Sequence, residues 1–466
     1  MKNTTGYPMA GGSEAAMHGT IKEEIAGRPT FGELVSVFGR IGLLSFGGPA
    51  AQIGMLHKAV VEEKRWLSEE RFLHALNYCM LLPGPEAQQL ATYAGWLMYG
   101  VRGGIVAGLL FVLPGLAVIM ALSAAYALFQ ETTWLTGLFF GLKAAVLAIV
   151  VEAVIRLGRK TLRNRFLVVI AALAFVALFV FGLPFPLVVL AAGLAGFLAS
   201  RIDPARLAAE PATDIMEVRR PPLLGSLLTL AFWVFLWQLP LLVLWLFAGT
   251  ESLAAMFSFF SRMALVTFGG AYAVLAYVAQ VAVEGYGWLM PGEMVDGLAL
   301  AETTPGPLVL VLSFVGFMVG FRFSPGLDAV FAGVVGAALA AWATFVPSFI
   351  WIFAGAPYIE RLRGNAALSA ALAAITAAVV GVILNLALWF GLHVLFAEVA
   401  RIPLWPSTEP GGEPVAGLWW PVWQSLDPAA LALFLVSAFL LFRLKLGMVA
   451  VLTVCAAAGL VLRLLL

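Results

Sequence analysis

A chain of 466 residues in which 62% are hydrophobic and only 11% charged is no ordinary soluble domain, where about a quarter of residues carry charge. Its mean hydropathy is +0.98, and apolar runs of about 20 residues recur without the alternation of a membrane β-barrel, so the expected fold class is an all-α polytopic membrane protein. A formal net charge of +1 gives no reason to expect nucleic acid as a partner; the lipid bilayer is the partner that composition implies.

Residues 1–30 are polar and lack the apolar core of a signal peptide, so they read as a disordered cytoplasmic leader. Phe31–Val61 is apolar but interrupted by Gly47-Gly48-Pro49, and Glu62–Arg71 is a charged loop. Phe72–Tyr99 is apolar again, interrupted by Pro83-Gly84-Pro85. Gly103–Phe129 and Trp134–Ile155 read as full spans, and Phe166–Phe181 with Phe185–Ser200 as a tight hairpin about Pro184. A mixed-charge linker, Arg201–Pro222, precedes one extra span at Leu223–Phe247. The later spans are Leu327–Phe353, Ala366–Phe396, Pro428–Phe442 and Leu446–Leu466, with a polar, Trp- and Pro-rich loop at Ala397–Leu426.

The chain repeats itself. Arg40, Gly47-Gly48, Trp66 and Pro83-Gly84-Pro85 recur, all at one constant offset, as Arg262, Gly269-Gly270, Trp288 and Pro305-Gly306-Pro307. A short insertion in the second copy then lengthens the offset, which carries Pro114 to Pro347 and Lys143 to Thr376. The expected domains are the leader (1–30), a first repeat (31–200), linker plus extra span (201–256) and a second repeat (257–466). Basic residues fill the loops at 57–71 and 156–165, whereas their second-half counterparts at 279–293 and 397–427 hold only Arg401 between them. Since cytoplasmic loops are enriched in Lys and Arg, equivalent loops lie on opposite sides and the repeat is inverted. The segments 31–61 and 72–99 then either enter the membrane and return, or form single broken spans. Either way the interruptions must be buried in protein or line a polar cavity.

These interruptions are where chemistry is expected. Proline is preorganised for the first turn of a helix, so helices should begin near Pro49 and Pro85, aiming unpaired amides and positive dipole ends into the protein. With Gly269, Gly270 and Gly306 contributing from the other repeat, four such ends would form an anion site. Kinks or close helix packing are the plainer use of Gly and Pro, but the repeated spacing favours the site. Arg40 and Arg262 interrupt apolar stretches, where a central Arg costs roughly 2.5–3.5 kcal/mol; each either snorkels to an interface or faces a cavity. Lys143 lies deep in a span, with an ion-paired or substrate-facing role. Glu86 and Glu302 are the deep carboxylates and the proton-coupling candidates; capping or ion pairing is the alternative use. Gln52, Gln88, Gln89, Asn77 and Thr304 are neutral groups that suit an oxyanion or a helix–helix contact. Cys79 and Cys455 in apolar surroundings, and histidines without ligand spacing, point to no disulfide, metal or cofactor.

The segments SFGGPAAQIGMLH (45–57), RWLSEERFLHALNYCMLLPGPEAQQLATYAGW (65–96), LPG (113–115), TFGGAYAVL (267–275) and LAETTPGPLVLVLSFVGF (300–317) together resemble the chromate ion transporter family in its long, two-domain form. The resemblance covers roughly residues 31–396. It implies an inner-membrane protein that extrudes chromate, a dianion shaped like sulfate, at the expense of the proton motive force, and so a role in chromate resistance. The family pattern falls on Arg40, Gly47, Gly48, Pro49, Pro83, Gly84, Pro85, Glu86, Gln88 and Lys143. Gln52 stands where members often carry His, and Ala271 replaces the proline of the first repeat.

The expected function is therefore secondary active export of a tetrahedral oxyanion, most simply chromate, from a site between the repeats. Sulfate or another oxyanion, uptake, and a passive anion channel are the alternatives. An intramembrane enzyme would need a nucleophile or metal set beside the broken helices, and the sequence offers neither. A homodimer is compatible with the sequence but nothing in it argues for one.

Overall fold

The computed structural model describes residues 29–202, 223–268, 271–355, 366–405 and 416–465. Most of the expected leader and linker, with Gly269 and Gly270, lie outside the described residues.

The first half runs α1 (Phe31–Leu44), α2 (Gly48–His57), α3 (Glu69–Cys79), α4 (Glu86–Phe129), α5 (Thr133–Thr161), α6 (Arg165–Phe179) and α7 (Phe185–Ile202). After α8 (Leu223–Leu244) come α9 (Glu251–Val266), α10 (Ala271–Ala279), α11 (Pro291–Thr303), α12 (Val311–Phe323), α13 (Ala329–Ile350) and α14 (Ala366–Leu395). The chain ends with β1 (Val399–Trp405), β2 (Ala416–Pro421), α15 (Pro428–Ala438) and α16 (Met448–Leu465). Among the described residues seven helices are long and apolar enough to cross a bilayer. The protein is an all-α polytopic membrane protein.

Local chemistry explains the helix starts. A reciprocal capping box opens α1: the Glu33 amide donates to Thr30 Oγ1 at 3.3 Å and the Thr30 amide to Glu33 Oε2 at 2.8 Å. Ser68, Asn164, Asp328 and Asp427 cap α3, α6, α13 and α15 through their side chains. As expected, α2 begins beside Pro49 and α4 directly after Pro85.

Helix α4 folds back on itself. Tyr99 and Gly100 leave helical geometry, with Gly100 at φ 61°. Residues flanking that turn then touch in antiparallel order: a Cβ on Gly95 would collide with the Gly103 carbonyl, and one on Gly108 with Thr92 Oγ1. Chain 69–98 is likewise a helical hairpin, because Tyr78 and Tyr93 lie either side of Pro83-Gly84-Pro85 yet their rings are 5.3 Å apart. A straight broken span would separate them by about 20 Å at 1.5 Å per residue. The turn at Tyr99 returns beside the start of α1, where the Tyr99 hydroxyl donates to the Pro29 carbonyl and the Phe31 ring meets Tyr99 edge-on at 5.4 Å.

Between helices the contacts are built on small residues, as they must be where lipid removes most of the hydrophobic drive. A Cβ on Gly141 of α5 would overlap the Cys455 carbonyl of α16, and Gly316 of α12 meets Gly336 of α13 in the same way. The pair α6 and α7 packs on α14, whereas α15 and α16 pack on α5, so each half's final helices lean on the other half's long helix.

One expectation needs correction. The stretch 397–426, read as loop, forms a hairpin among its described residues: β1 and β2 pair antiparallel from Val399↔Pro421 to Pro403↔Gly417. Its β-branched and aromatic residues suit a pleated surface, and Pro403, beside the register shift, cannot donate to a ladder. The Gly417 amide ties the hairpin to the Val180 carbonyl, at the α6–α7 turn, at 2.9 Å.

Candidate functional site

The interruptions meet at the centre of the protein. The Gly84 amide donates to the Thr267 carbonyl at 2.9 Å, and the Gly306 amide to the Ser45 carbonyl at 2.8 Å. Donors and acceptors correspond: the offset that carries Arg40 to Arg262 also carries Gly84 to Gly306 and Ser45 to Thr267. Thus the Pro-Gly-Pro of each half is held by the interrupted helix of the other. Both glycines carry left-handed φ values, 119° at Gly84 and 97° at Gly306, which a side chain would strain. The long helices close the arrangement: Gly115 of α4 lies against the Pro305 carbonyl, and Ser348 of α13 faces Gly84.

A small cavity of about 20 Å³ sits at this junction, lined by Pro49, Gln52, Gly84, Glu86, Pro307 and Val309 among others. Gln52 spans it, donating from Nε2 to the Gly306 carbonyl at 2.6 Å and to the Ser45 carbonyl at 3.4 Å. Three helical starts face this space: α2 at Gly48, α4 at Glu86 and the turn Leu308–Leu310 that leads into α12. First-turn amides have no intrahelical carbonyl to bond, so the wall is rich in donors. Gln89 braces the first Pro-Gly-Pro, donating to the Pro83 carbonyl at 2.7 Å. The Gln88 and Gln89 Oε1 atoms are buried without a protein partner. A water needs roughly 10–15 Å³ of such space, so the cavity holds about one and is closed to anything larger.

The remaining expected residues fall elsewhere. Gly47, at φ 94°, is the residue before α2 and shapes the break. Arg40 is exposed because α1 buries Leu34, Phe38, Ile41 and Gly42 on its opposite face. Arg262 is exposed too, and its Nε donates to the Ser258 carbonyl at 3.2 Å. Neither arginine lines the cavity. Lys143 is not at the cavity either: its Nζ lies 3.2 Å from Asp296 Oδ2 on α11, which also accepts from the Tyr126 hydroxyl at 2.9 Å. One turn earlier, Glu293 pairs with Arg322 through two hydrogen bonds of 2.9 and 2.5 Å. Glu302 is buried and accepts from the Tyr272 hydroxyl at 2.7 Å. The Thr304 hydroxyl is spent on the Leu300 carbonyl, and Asn77 is exposed.

Asp296 is the functional-looking residue that sequence reasoning passes over. Its signal is an acid inside the apolar stretch 294–301, placed where α11 faces Lys143.

At the far end of α2, His57 sits between Glu62 (Nδ1 to Oε1, 3.1 Å) and Glu69 (Nε2 to Oε2, 2.7 Å). Carboxylates only accept, so the ring needs both protons, and the Glu69 contact foremost pushes the imidazole up from its ordinary 6.5.

A helical bundle crossing the membrane several times, with interrupted helices meeting tip to tip inside it, is a multi-pass protein of the cell membrane. The chain belongs to the chromate transporter family, whose model matches residues 32–197 and 254–460. It is 35% identical over 362 residues to a chromate transport protein of Pseudomonas aeruginosa, an alignment covering 76% of this chain and 79% of that one. It is 32% identical to a chromate transport protein of Cupriavidus metallidurans, over 76% of this chain and 81% of the relative. A probable chromate transport protein of Synechococcus elongatus is 29% identical over 82% of this chain and 92% of its own length. No solved structure matches the chain.

Proposed function

We propose that this protein exports chromate from the cytoplasm by alternating access, coupled to the proton motive force, with the anion bound at the junction of the interrupted helices. The observation that carries this reading is the reciprocal pair of bonds, Gly84 to Thr267 and Gly306 to Ser45. Two equivalent contacts related by exchange of the halves are what an inverted repeat leaves at its pseudo-two-fold axis, and transporters of that design bind substrate there. Charge supports the sidedness: 29–31, 57–71 and 99–102 lie at one end of two helical hairpins, and that end carries Lys58, Lys64, Arg65, Arg71 and Arg102.

On this reading the described geometry is an occluded state. A tetrahedral dianion does not fit a cavity of about 20 Å³, so binding requires the two tip-to-tip contacts to part, one for each direction of access. Amides from α2, α4 and the Leu308 turn then take the oxygens, with the Gln52 amide group as a side-chain donor. Glu302, held by Tyr272, is the coupling carboxylate of this reading; Glu86, at the wall of the cavity, is the alternative. Sulfate is the competing cargo, since shape and charge barely separate the two ions.

The test is chromate uptake into everted membrane vesicles, with and without a protonophore, beside a sulfate series. Gradient-dependent chromate accumulation supports the reading. Sulfate accumulation without chromate replaces the cargo and leaves the architecture standing, and flux indifferent to the proton gradient favours a passive channel.

A further inference from the structure

A second and larger opening lies away from the central junction. It has a wide outer part of about 610 Å³ and an inner part of about 170 Å³, which share Gln280, Glu284, Arg401 and Trp419 in their walls. The outer part opens between the α6–α7 turn, the continuation of α10 (Gln280–Gly285) and the β-hairpin. The last two belong to the loops 279–293 and 397–427 that the charge pattern assigns to the outside, and the α6–α7 turn, with no Lys or Arg over 180–186, fits the same side. The inner part runs down between α10 and α14, past Gln280 and Asn385, to Ala279 and Ala276. At roughly 10–15 Å³ for each water it has room for a file of several.

The wall on α10 points further inward. Residues 272, 276, 279 and 280 recur at the i, i+4, i+7 and i+8 spacing of one helix face. Two alanines leave the gap along that face, and the next residue below them is Tyr272, about 6 Å beyond Ala276 along the axis. The Tyr272 hydroxyl is already hydrogen-bonded to Glu302 at 2.7 Å. Other charged groups facing Glu302 are Glu152 and Arg156 of α5, themselves an i,i+4 pair at 3.8 Å.

We infer that the cavity beneath the β-hairpin is the external proton port of the transporter, leading along the Gln280–Ala276–Tyr272 face of α10 to Glu302, separately from the anion site. A proton arriving from the last water is taken by the Tyr272 oxygen as the hydroxyl passes its own proton to Glu302 Oε1, so tyrosine is restored neutral and the carboxylate becomes a carboxylic acid. Glu302 later releases that proton toward the α5 side, near Glu152. Arg401 and Glu284 stand at the mouth, and the hairpin covers it. The inference rests on Glu302 being the coupling carboxylate.

The experiment plugs the file without touching either end. Ala276→Leu and Ala279→Leu narrow it, and Ala276→Ser keeps it open and wet. Each is assayed in everted vesicles for chromate accumulation driven by an imposed pH gradient and for chromate–chromate exchange without one, beside Glu302→Gln. The expected result is at least a tenfold loss of driven accumulation in both leucine variants, exchange within twofold of wild type, and Ala276→Ser unchanged. Driven accumulation retained by both leucine variants while Glu302→Gln loses it overturns the port and leaves Glu302 in place. Driven accumulation retained by Glu302→Gln removes the carboxylate and the port together. In a background lacking Cys79 and Cys455, Gln280→Cys is expected to react with a membrane-impermeant maleimide added to intact cells; reaction only from the cytoplasmic face also overturns the port.

Discussion

Lys143 separates a substrate-binding reading from a structural one. Its ammonium is 3.2 Å from Asp296 Oδ2, with side-chain exposures of 27% and 7%. Removing one member of a buried ion pair costs about 3–5 kcal/mol, because the other charge stays behind unpaired. Lys143→Met leaves the Asp296 carboxylate with the Tyr126 hydroxyl alone, and the partial exposure of Lys143 places the cost near the low end, about 3 kcal/mol. Asp296→Asn strands a cation that can still reach solvent, so it should cost less. Removing both, as Lys143→Met with Asp296→Leu, should recover most of the loss, since well-packed apolar replacements of buried pairs are often neutral. The assay is the thermal midpoint in detergent, followed by vesicle transport, for both singles and the double. If the pair is structural, the double variant regains stability and transport together. A double variant that regains its thermal midpoint but transports as poorly as Lys143→Met would refute this argument and return Lys143 to the anion.

Gly306→Ala places a side chain at φ 97° and 3.1 Å from Leu310 Cδ1, so we expect a loss of about 1–2 kcal/mol and of transport at unchanged expression, read by thermal midpoint and uptake. Gln52→Ala removes a buried 2.6 Å bond to the Gly306 carbonyl and should destabilise by about 1–3 kcal/mol while weakening chromate binding, read by the concentration dependence of uptake. Gly141→Ala drives a methyl into the Cys455 carbonyl and should cost about 1–3 kcal/mol through separation of α5 from α16, with thermal midpoint as the measure. The His57 imidazole is raised above 6.5, so its contribution to stability is complete below pH 6.5 and disappears as pH climbs through the higher folded-state value. His57→Gln should flatten the midpoint-against-pH curve on the alkaline side of pH 6.5; an unchanged slope would assign it to other groups.

Much of the junction's backbone is legible because glycine and proline write backbone geometry directly into sequence. Pro49 and Pro85 mark two helix starts, and the constant offset between the halves pairs Gly84 with Gly306 from sequence alone. What the sequence hides is which face of a helix a residue occupies when both faces are apolar. Lys143 is such a residue, since lipid-facing residues are as apolar as buried ones. Arg40 and Arg262 are not. Glu33, Ser36 and Arg40 share one face of α1, opposite Leu34, Phe38 and Ile41, and Glu251, Ser258 and Arg262 share one face of α9. Helical periodicity thus already places both arginines away from the core, and their shared spacing with the interruptions outweighs that signal in a sequence reading. The Lys143–Asp296 pair is hidden for a further reason: its members lie in different halves of the chain and meet only once α5 lies beside α11. The β-hairpin is obscured by its prolines, which read as loop although its tryptophans favour a strand.

On the proposed reading, the paired interruptions also divide the chemistry between the halves. Backbone at the junction is matched at the repeat offset, but the side chains are not: Gln52 corresponds to Val274, Glu86 to Leu308, Gln88 to Leu310 and Gln89 to Val311. The polar groups at the cavity therefore come from the first half. Conversely, Glu302 and Tyr272 correspond to Met80 and Ala50, so the buried carboxylate and its tyrosine belong to the second half alone. If the two halves simply exchanged conformations about a symmetric site, polar groups on one side would have no reason to be absent from the other. A matched frame with unmatched side chains instead suits two cargoes moving on opposite sides of one axis, the anion against the first half and the proton along the second. Exchanging the sets, by Leu308→Glu with Glu86→Leu, tests this: the frame should survive, with a thermal midpoint near that of wild type, while transport is lost. Retained transport would mean that backbone amides alone define the site.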